Sequence, residues 1–198
     1  CMNWFARKEK KLKGSEKKNI PDGLWDKCPS CNEIIYRPEL EKNLSVCHHC
    51  EHHFRVSPQL YVDLLLDEGS TKQLFNNLGP VDFLNFKGKK NYKDQIIAAK
   101  EKTGDNDAIK VYEGSIKDNN VILGIMNFKY IGGSMGSVVG EVVSRALVKA
   151  GDAEIPFLLV CASGGARMQE GAISLMQLAK TSTKLSKFLK NGGLRRRW

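Results

Sequence analysis

The chain has no histidine after position 53, no long apolar run and no phosphate-loop signature. Each absence removes a class of function. The longest apolar run is residues 155–162, far short of the roughly 18 residues a membrane helix needs, so no membrane span is expected. Trp4 and Phe5 lead into a lysine-rich stretch with no apolar segment after it, which is not a secretory signal. Neither G-x-G-x-x-G nor G-K-[ST] occurs, which excludes the usual dinucleotide and P-loop sites. Gly132-Gly133-Ser134-Met135-Gly136 does satisfy G-x-S-x-G, the pattern of a hydrolase nucleophile elbow. That fold needs a later histidine to take the serine proton. All four histidines lie at positions 48–53, so no triad can form.

The 198 residues, 41% hydrophobic and 27% charged, have a globular composition. The net charge of +9 is concentrated at the ends. Residues 1–20 carry +5, residues 180–198 carry +7, and everything between them carries −3. Basicity of this kind describes two tails, so composition alone argues against nucleic-acid binding by the folded body. Met2-Asn3-Trp4 reads as a start, with Cys1 a leftover before it.

Four of six cysteines form two C-x-x-C pairs, Cys28/Cys31 and Cys47/Cys50, separated by fifteen residues. That is the spacing of a four-cysteine zinc ribbon. Two such turns complete a tetrahedron of thiolates around Zn²⁺, and a full shell makes the metal structural. His48, His49, His52 and His53 are then solvated or outer groups. A redox role is the competing reading, but a redox C-x-x-C needs no second pair.

Beyond the ribbon the pattern changes. Ser57-Pro58 suits a helix start, with Leu60, Leu64 and Leu65 on one face and Gly69-Ser70 ending it. Residues 94–102 read as a short helix closed by Gly104. Residues 108–116 and 121–128 read as strands around an Asp118-Asn119-Asn120 turn. A glycine loop follows, then a helix over 138–150 capped by Gly151, then a fully buried strand over 155–162. Ser163-Gly164-Gly165-Ala166-Arg167 leads into a long helix over about 168–189. The fold class is therefore α/β, with glycine loops at strand ends. Three regions are expected: a flexible basic arm (1–22), the zinc ribbon (23–56) and the α/β domain (57–198). Paired glycines at strand-to-helix junctions expose N–H groups that can polarise a thioester carbonyl and hold an enolate. The plainer reading is that they permit tight turns and close packing.

Several segments together are recognisable: the four cysteines; Leu65-Leu66-Asp67-Glu68-Gly69-Ser70; Tyr92-Lys93-Asp94; Gly132-Gly133-Ser134-Met135-Gly136-Ser137-Val138-Val139-Gly140; and Ala162-Ser163-Gly164-Gly165-Ala166-Arg167-Met168-Gln169-Glu170. From about residue 20 to about 190 the chain resembles the β subunit of bacterial or plastid acetyl-CoA carboxylase carboxyltransferase. The resemblance implies a crotonase-like ββα domain behind a small zinc ribbon. It implies carboxyl transfer from biotin, carried on a separate carrier protein, to a CoA thioester, giving malonyl-CoA for fatty-acid synthesis. The implied partners are an α subunit in an α2β2 assembly, the biotin carboxyl carrier protein and biotin carboxylase. The implied location is the cytoplasm, or the plastid stroma in a plant or alga. Carried over by position, Gly132, Gly133, Ser134, Met135, Gly136 and Ser137 lie near the acyl-CoA. Gly164 and Gly165 supply oxyanion amides, for either the thioester enolate or the biotin carbonyl. Arg167 joins the substrate-binding set and, with Glu170, orients the loop; a helix-start ion pair is the plainer reading of the two. In the family the biotin freed of CO2 is thought to take the acetyl proton, which fits a chain with no evident base.

After the long helix the family continues with a further strand and glycine loop. Here Arg195, Arg196 and Arg197 stand where a buried strand cannot tolerate them, so the crotonase-like domain is expected to be incomplete and inactive as written. Two alternatives remain: a zinc-ribbon nucleic-acid binder using the basic ends, and a truncated zinc-stabilised fragment without activity.

Overall fold

The computed structural model describes residues 23–193. The basic arm over 1–22 and the Leu194 to Trp198 tail lie outside the described residues. Two compact units meet between Arg55 and Val56.

In the smaller unit β1 (Trp25–Lys27) pairs antiparallel with β2 (Ile34–Tyr36), and α1 (Arg37–Lys42) follows directly. Pro38 suits the first turn of α1, where its missing N–H costs nothing. The buried residues are Cys28, Ile35, Leu40 and Cys47, with Cys31, Cys50 and Phe54 packed against them. Two aliphatic side chains are a small core, and the cysteines supply the rest of it.

The larger unit is a four-stranded sheet in the order β3-β4-β5-β6. β3 (Lys72–Leu74), β4 (Ile109–Ile116) and β5 (Asn119–Met126) are antiparallel, while β6 (Phe157–Val160) runs parallel to β5. The antiparallel and parallel joins follow from the connections: a two-residue hairpin between β4 and β5, and α4 (Ser137–Asp152) between β5 and β6. Both faces of β5 are covered, which explains its unbroken apolar run. Val121, Leu123 and Ile125 face α2 (Pro58–Leu65) through Val62 and Leu66. Ile122 and Met126 face α4, whose Val139, Val142, Val143, Ala146 and Leu147 bury the 3.6-residue stripe. α5 (Ala172–Lys190) lies along α4, and the two approach closely at Gly140, where a Cβ would sit 2.2 Å from Gln177 Oε1. α3 (Tyr92–Thr103) ends at Gly104 in the left-handed region, φ 71°. Among the described residues no helix is long and apolar enough to cross a membrane.

Several local expectations are corrected. α4 runs through Gly151 to Asp152, so Gly151 is not its cap. Leu64 is exposed, and Val62 takes the buried position on α2. The strand expected over 155–162 pairs only over β6 and is half-buried throughout, being an edge of the sheet among the described residues. The helix expected from Met168 begins with a 3-10 turn (Met168–Glu170), broken at Gly171 before α5 starts. β3 was not foreseen, because a short polar edge strand is fixed by backbone pairing and not by pattern.

The Asp67 motif acquires a role here. Lys117 and Asp118, at φ 51° and 64°, make the tight β4–β5 turn, and Asp67 accepts both their N–H groups at 2.9 Å. The Ser115 hydroxyl donates to the same carboxylate at 2.6 Å. The Ser115 hydroxyl and then the two amides hold the Asp67 pKa below its ordinary value. A lowered pKa stabilises the fold above the ordinary carboxylate range and loses that contribution as pH falls through the folded value. Asp67→Asn should therefore melt below the parent chain at pH 7, and the gap should close on acidification. Melting curves at pH 7 and near pH 3 check this; a gap independent of pH would refute it.

Candidate functional site

The two C-x-x-C turns are near copies. Cys28 N–H donates to Glu33 C=O and Asn32 N–H to Cys28 C=O; Cys47 N–H donates to His52 C=O and Glu51 N–H to Cys47 C=O, all at 2.9–3.0 Å. Asn32 and Glu51, one residue past each pair, both turn left-handed at φ 63° and 59°. The result is convergence: all four Sγ atoms lie within 4.8 Å of one another. Cys28 and Cys50 sulfurs are 3.7 Å apart and those of Cys31 and Cys47 are 3.8 Å apart. A tetrahedron with Zn–S bonds of about 2.3 Å has edges of about 3.8 Å, so this donor set fits Zn²⁺. The His52 N–H lowers the Cys50 pKa to about 7. At Cys31 the Glu33 N–H pulls the other way, but burial and the neighbouring thiols outweigh it and push the pKa up to about 12. The histidines stay outside the sulfur cluster: His48 and His49 stack at 4.0 Å, and His52 meets Phe54 edge-on.

In the larger unit the two glycine loops lie side by side. Met135 N–H donates to Gly165 C=O at 2.8 Å and Arg167 N–H to Met135 C=O at 2.9 Å, a parallel bridge between Met135 and Ala166. Gly164 N–H donates to Gly132 C=O at 2.9 Å. Ile131, Gly132 and Gly133 are consecutively left-handed at φ 43°, 65° and 64°, an unusual strain for a β-branched residue in the first position.

The glycines divide into two kinds. At Gly133 a Cβ would lie 2.1 Å from Ala162 C=O, and at Gly136 it would lie 2.7 Å from Glu170 Oε1. Those two exist for packing. At Gly132 and Gly165, φ 65° and 112°, a Cβ would meet nothing within 4 Å. These two leave backbone open to whatever approaches.

Beneath the loops sits a buried polar cluster. Arg167 is fully buried and spends all five N–H groups. Nη1 donates to Asp107 Oδ2 at 3.0 Å and to the Tyr92 hydroxyl at 3.1 Å. Nη2 donates to Asp107 Oδ1 at 2.5 Å and Ser134 C=O at 2.8 Å, and Nε to Ser134 Oγ at 3.1 Å. Burial opposes its charge, but the Asp107 and Tyr92 interactions outweigh that and raise its pKa. Burial also raises the Tyr92 and Tyr130 pKa values, so Tyr92 keeps its proton and donates it to Glu170 Oε1 at 2.7 Å. Glu170 Oε2 accepts Ser137 N–H at 2.6 Å, the first residue of α4.

Three expectations change. Arg167, carried over as a substrate contact, has no donor to spare and no exposed surface; it holds the loops in place. The positive end of α4 is taken by Glu170 and not offered to a ligand. The Gly164 amide is committed to Gly132. Gly165 N–H reaches only the exposed Ser163 hydroxyl at 3.1 Å, a bond a stronger acceptor can replace. Ser134 is buried under Arg167, in keeping with its rejection as a nucleophile.

Residues 25–50 match the acetyl-CoA carboxylase zinc finger domain family. The ribbon is similar to that zinc finger over these residues. Several solved structures share the fold. The transcarboxylase 12S core, solved with methylmalonyl-coenzyme A bound, superposes with a TM-score of 0.55 at 24% identity, covering 67% of this chain and 24% of that one. The β subunit of P. aeruginosa geranyl-CoA carboxylase gives 0.52 at 19% identity over 76% of this chain and 24% of that one. A Pseudomonas malonate decarboxylase hetero-tetramer gives 0.52 at 20% identity over 77% and 52%. The chain thus spans about a quarter of the transcarboxylase polypeptide. After the segment that matches the zinc finger comes an α/β domain whose fold these solved structures share. Tyr92, Asp107 and Tyr130 are the site residues that sequence reasoning missed. The Tyr92-Lys93-Asp94 motif was a signal without a role; nothing marked Asp107.

Proposed function

We propose that the chain is the β-type subunit of a biotin-dependent carboxyltransferase, moving a carboxyl group from carboxybiotin on a carrier protein to acetyl-CoA. The observation that carries the reading is the pair of open left-handed glycines, Gly132 and Gly165, on loops hydrogen-bonded to each other above a rigid buried arginine. Biotin supplies the carboxyl group as CO2 and, once free of it, the base. The chain supplies charge stabilisation. The Gly165 N–H group holds the negative oxygen of the thioester enolate, or of the biotin carbonyl; a preset donor of this kind costs no reorganisation during reaction. Gly132 lets the acyl chain approach the backbone. Zn²⁺ held by Cys28, Cys31, Cys47 and Cys50 organises the ribbon and takes no part in the chemistry. An α subunit, a biotin carrier and biotin carboxylase complete the reaction, giving malonyl-CoA for fatty-acid synthesis in the cytoplasm or plastid stroma.

The test is malonyl-CoA formation by a full-length version of the chain paired with its α subunit. Gly165→Val should abolish turnover, because a branched side chain at φ 112° both distorts the loop and covers its amides. Ser134→Ala should keep turnover within about tenfold while costing about 1–3 kcal/mol of stability, since it leaves the Arg167 Nε–H unpaired. Loss of turnover in Ser134→Ala with folding and CoA binding intact would restore the hydrolase-like reading.

A further inference from the structure

Where the second half of α4 passes the middle of α5, a cleft of about 620 Å³ opens. None of its lining residues belongs to the glycine loops or to the polar cluster beneath them. Its charge is unbalanced: Arg145, Lys149, Lys180 and Lys184 stand against two carboxylates, Glu141 and Asp152. Glu141 serves two of the cations at once, accepting from Arg145 Nε at 2.5 Å and from Lys180 Nζ. Lys149 turns to Glu113, 3.3 Å away and outside the lining. Lys184 has no ion pair among the described residues.

Two further observations fall on the same cleft. Ser144 is buried, and its hydroxyl has no hydrogen-bond partner among the described residues. A buried hydroxyl left unpaired costs stability, and an incoming acceptor would supply the missing bond. Phe75, the residue after β3, holds φ 56°, a left-handed conformation that a bulky side chain takes only under constraint. Strain of this kind gathers at ligand clamps. Phe75 and the exposed Val148 give the cleft an apolar wall beside its cations.

Surplus cations, an unpaired donor and an apolar wall together match a ligand with an acidic head and an apolar body. We propose that this cleft binds a small organic carboxylate, its head between Arg145 and Lys184 and its body against Phe75 and Val148. α4 follows the first glycine loop and α5 the second, so the ligand joins the two helices that the loops lead into. The site is separate from carboxyl transfer and does not depend on that reading.

Amide NMR spectra of the full 198-residue chain, titrated with naphthoate, naphthylmethanol and inorganic phosphate, test it. Naphthoate should shift the signals of α4 beyond Ser144 and of α5 around Lys184. Naphthylmethanol lacks the charge and phosphate lacks the apolar body, so each should bind at least about tenfold more weakly. The Arg145→Gln/Lys184→Gln variant, checked for an unchanged circular dichroism spectrum, should lose about tenfold or more in naphthoate affinity and nothing for naphthylmethanol. Ser144→Ala should weaken naphthoate about threefold to tenfold and melt no lower than the parent, because the hydroxyl it removes has no partner to lose. Equal naphthoate binding by parent and double variant overturns the site. Shifts confined to residues outside the cleft, or no saturable binding at all, overturn it too. Phosphate binding as tight as naphthoate overturns the assignment to an organic carboxylate.

Discussion

Arg167→Met should cost the larger unit about 3–5 kcal/mol, the expected penalty for removing one partner from a buried ion pair. Against a usual total of about 5–15 kcal/mol this is enough to leave a substantial unfolded population. The reasoning is local. The guanidinium is fully buried, and its loss takes from the Asp107 carboxylate, itself 2% exposed, both hydrogen bonds that Arg167 donates, leaving it the Ala108 N–H. Glu170 loses the cation that lies 3.6 Å from it, though it keeps Tyr92 and Ser137. Arg167→Lys should recover little, because a lysine cannot present five donors in a planar fork. Arg167→Met combined with Asp107→Leu should cost less than the two single changes added together, since the pair then leaves no isolated charge. Urea unfolding followed by far-ultraviolet circular dichroism measures all four. An Arg167→Met penalty under about 1 kcal/mol would remove the network from its supporting role.

What could be read from the residue order follows from what each feature depends on. The cysteine site depends on four thiols and two short turns, all written locally, so spacing alone identified it. β5 was legible because both its faces are buried, leaving an apolar run no other element would need. The glycine loops were legible as a pattern but not in their parts. Whether Gly133 packs on Ala162 or Gly165 opens outward depends on how the two loops lie together, some thirty residues apart in sequence. The polar cluster was hidden for the same reason. Arg167 meets Asp107 across 60 residues and Tyr92 across 75, and no periodicity encodes such a meeting. The short strand β3 was illegible because Lys72-Gln73-Leu74 has no alternation to show. The functional reading therefore came from motifs, while the division of labour among their residues came from three dimensions.

Removing zinc, or replacing Cys47 with serine, should unfold the ribbon and leave the larger unit standing. The ribbon buries little besides Ile35, Leu40 and its own cysteines, too little apolar area for so short a segment to fold alone. Its folding energy must come largely from the metal, and structural zinc contributes apparent values of about 10–16 kcal/mol in comparable modules. Serine at position 47 removes one thiolate from the buried side of the tetrahedron, and that loss exceeds anything the remaining contacts can offset. The larger unit has its own core across both faces of β5, none of it drawn from residues before Val56. The parent chain should therefore carry close to one zinc per molecule. After chelation, proteolysis should cut within residues 23–55, while circular dichroism should retain the helical signal of α3, α4 and α5. Cooperative loss of that helical signal together with the metal would show that the two units fold as one, and the independence argued from their separate cores would be wrong.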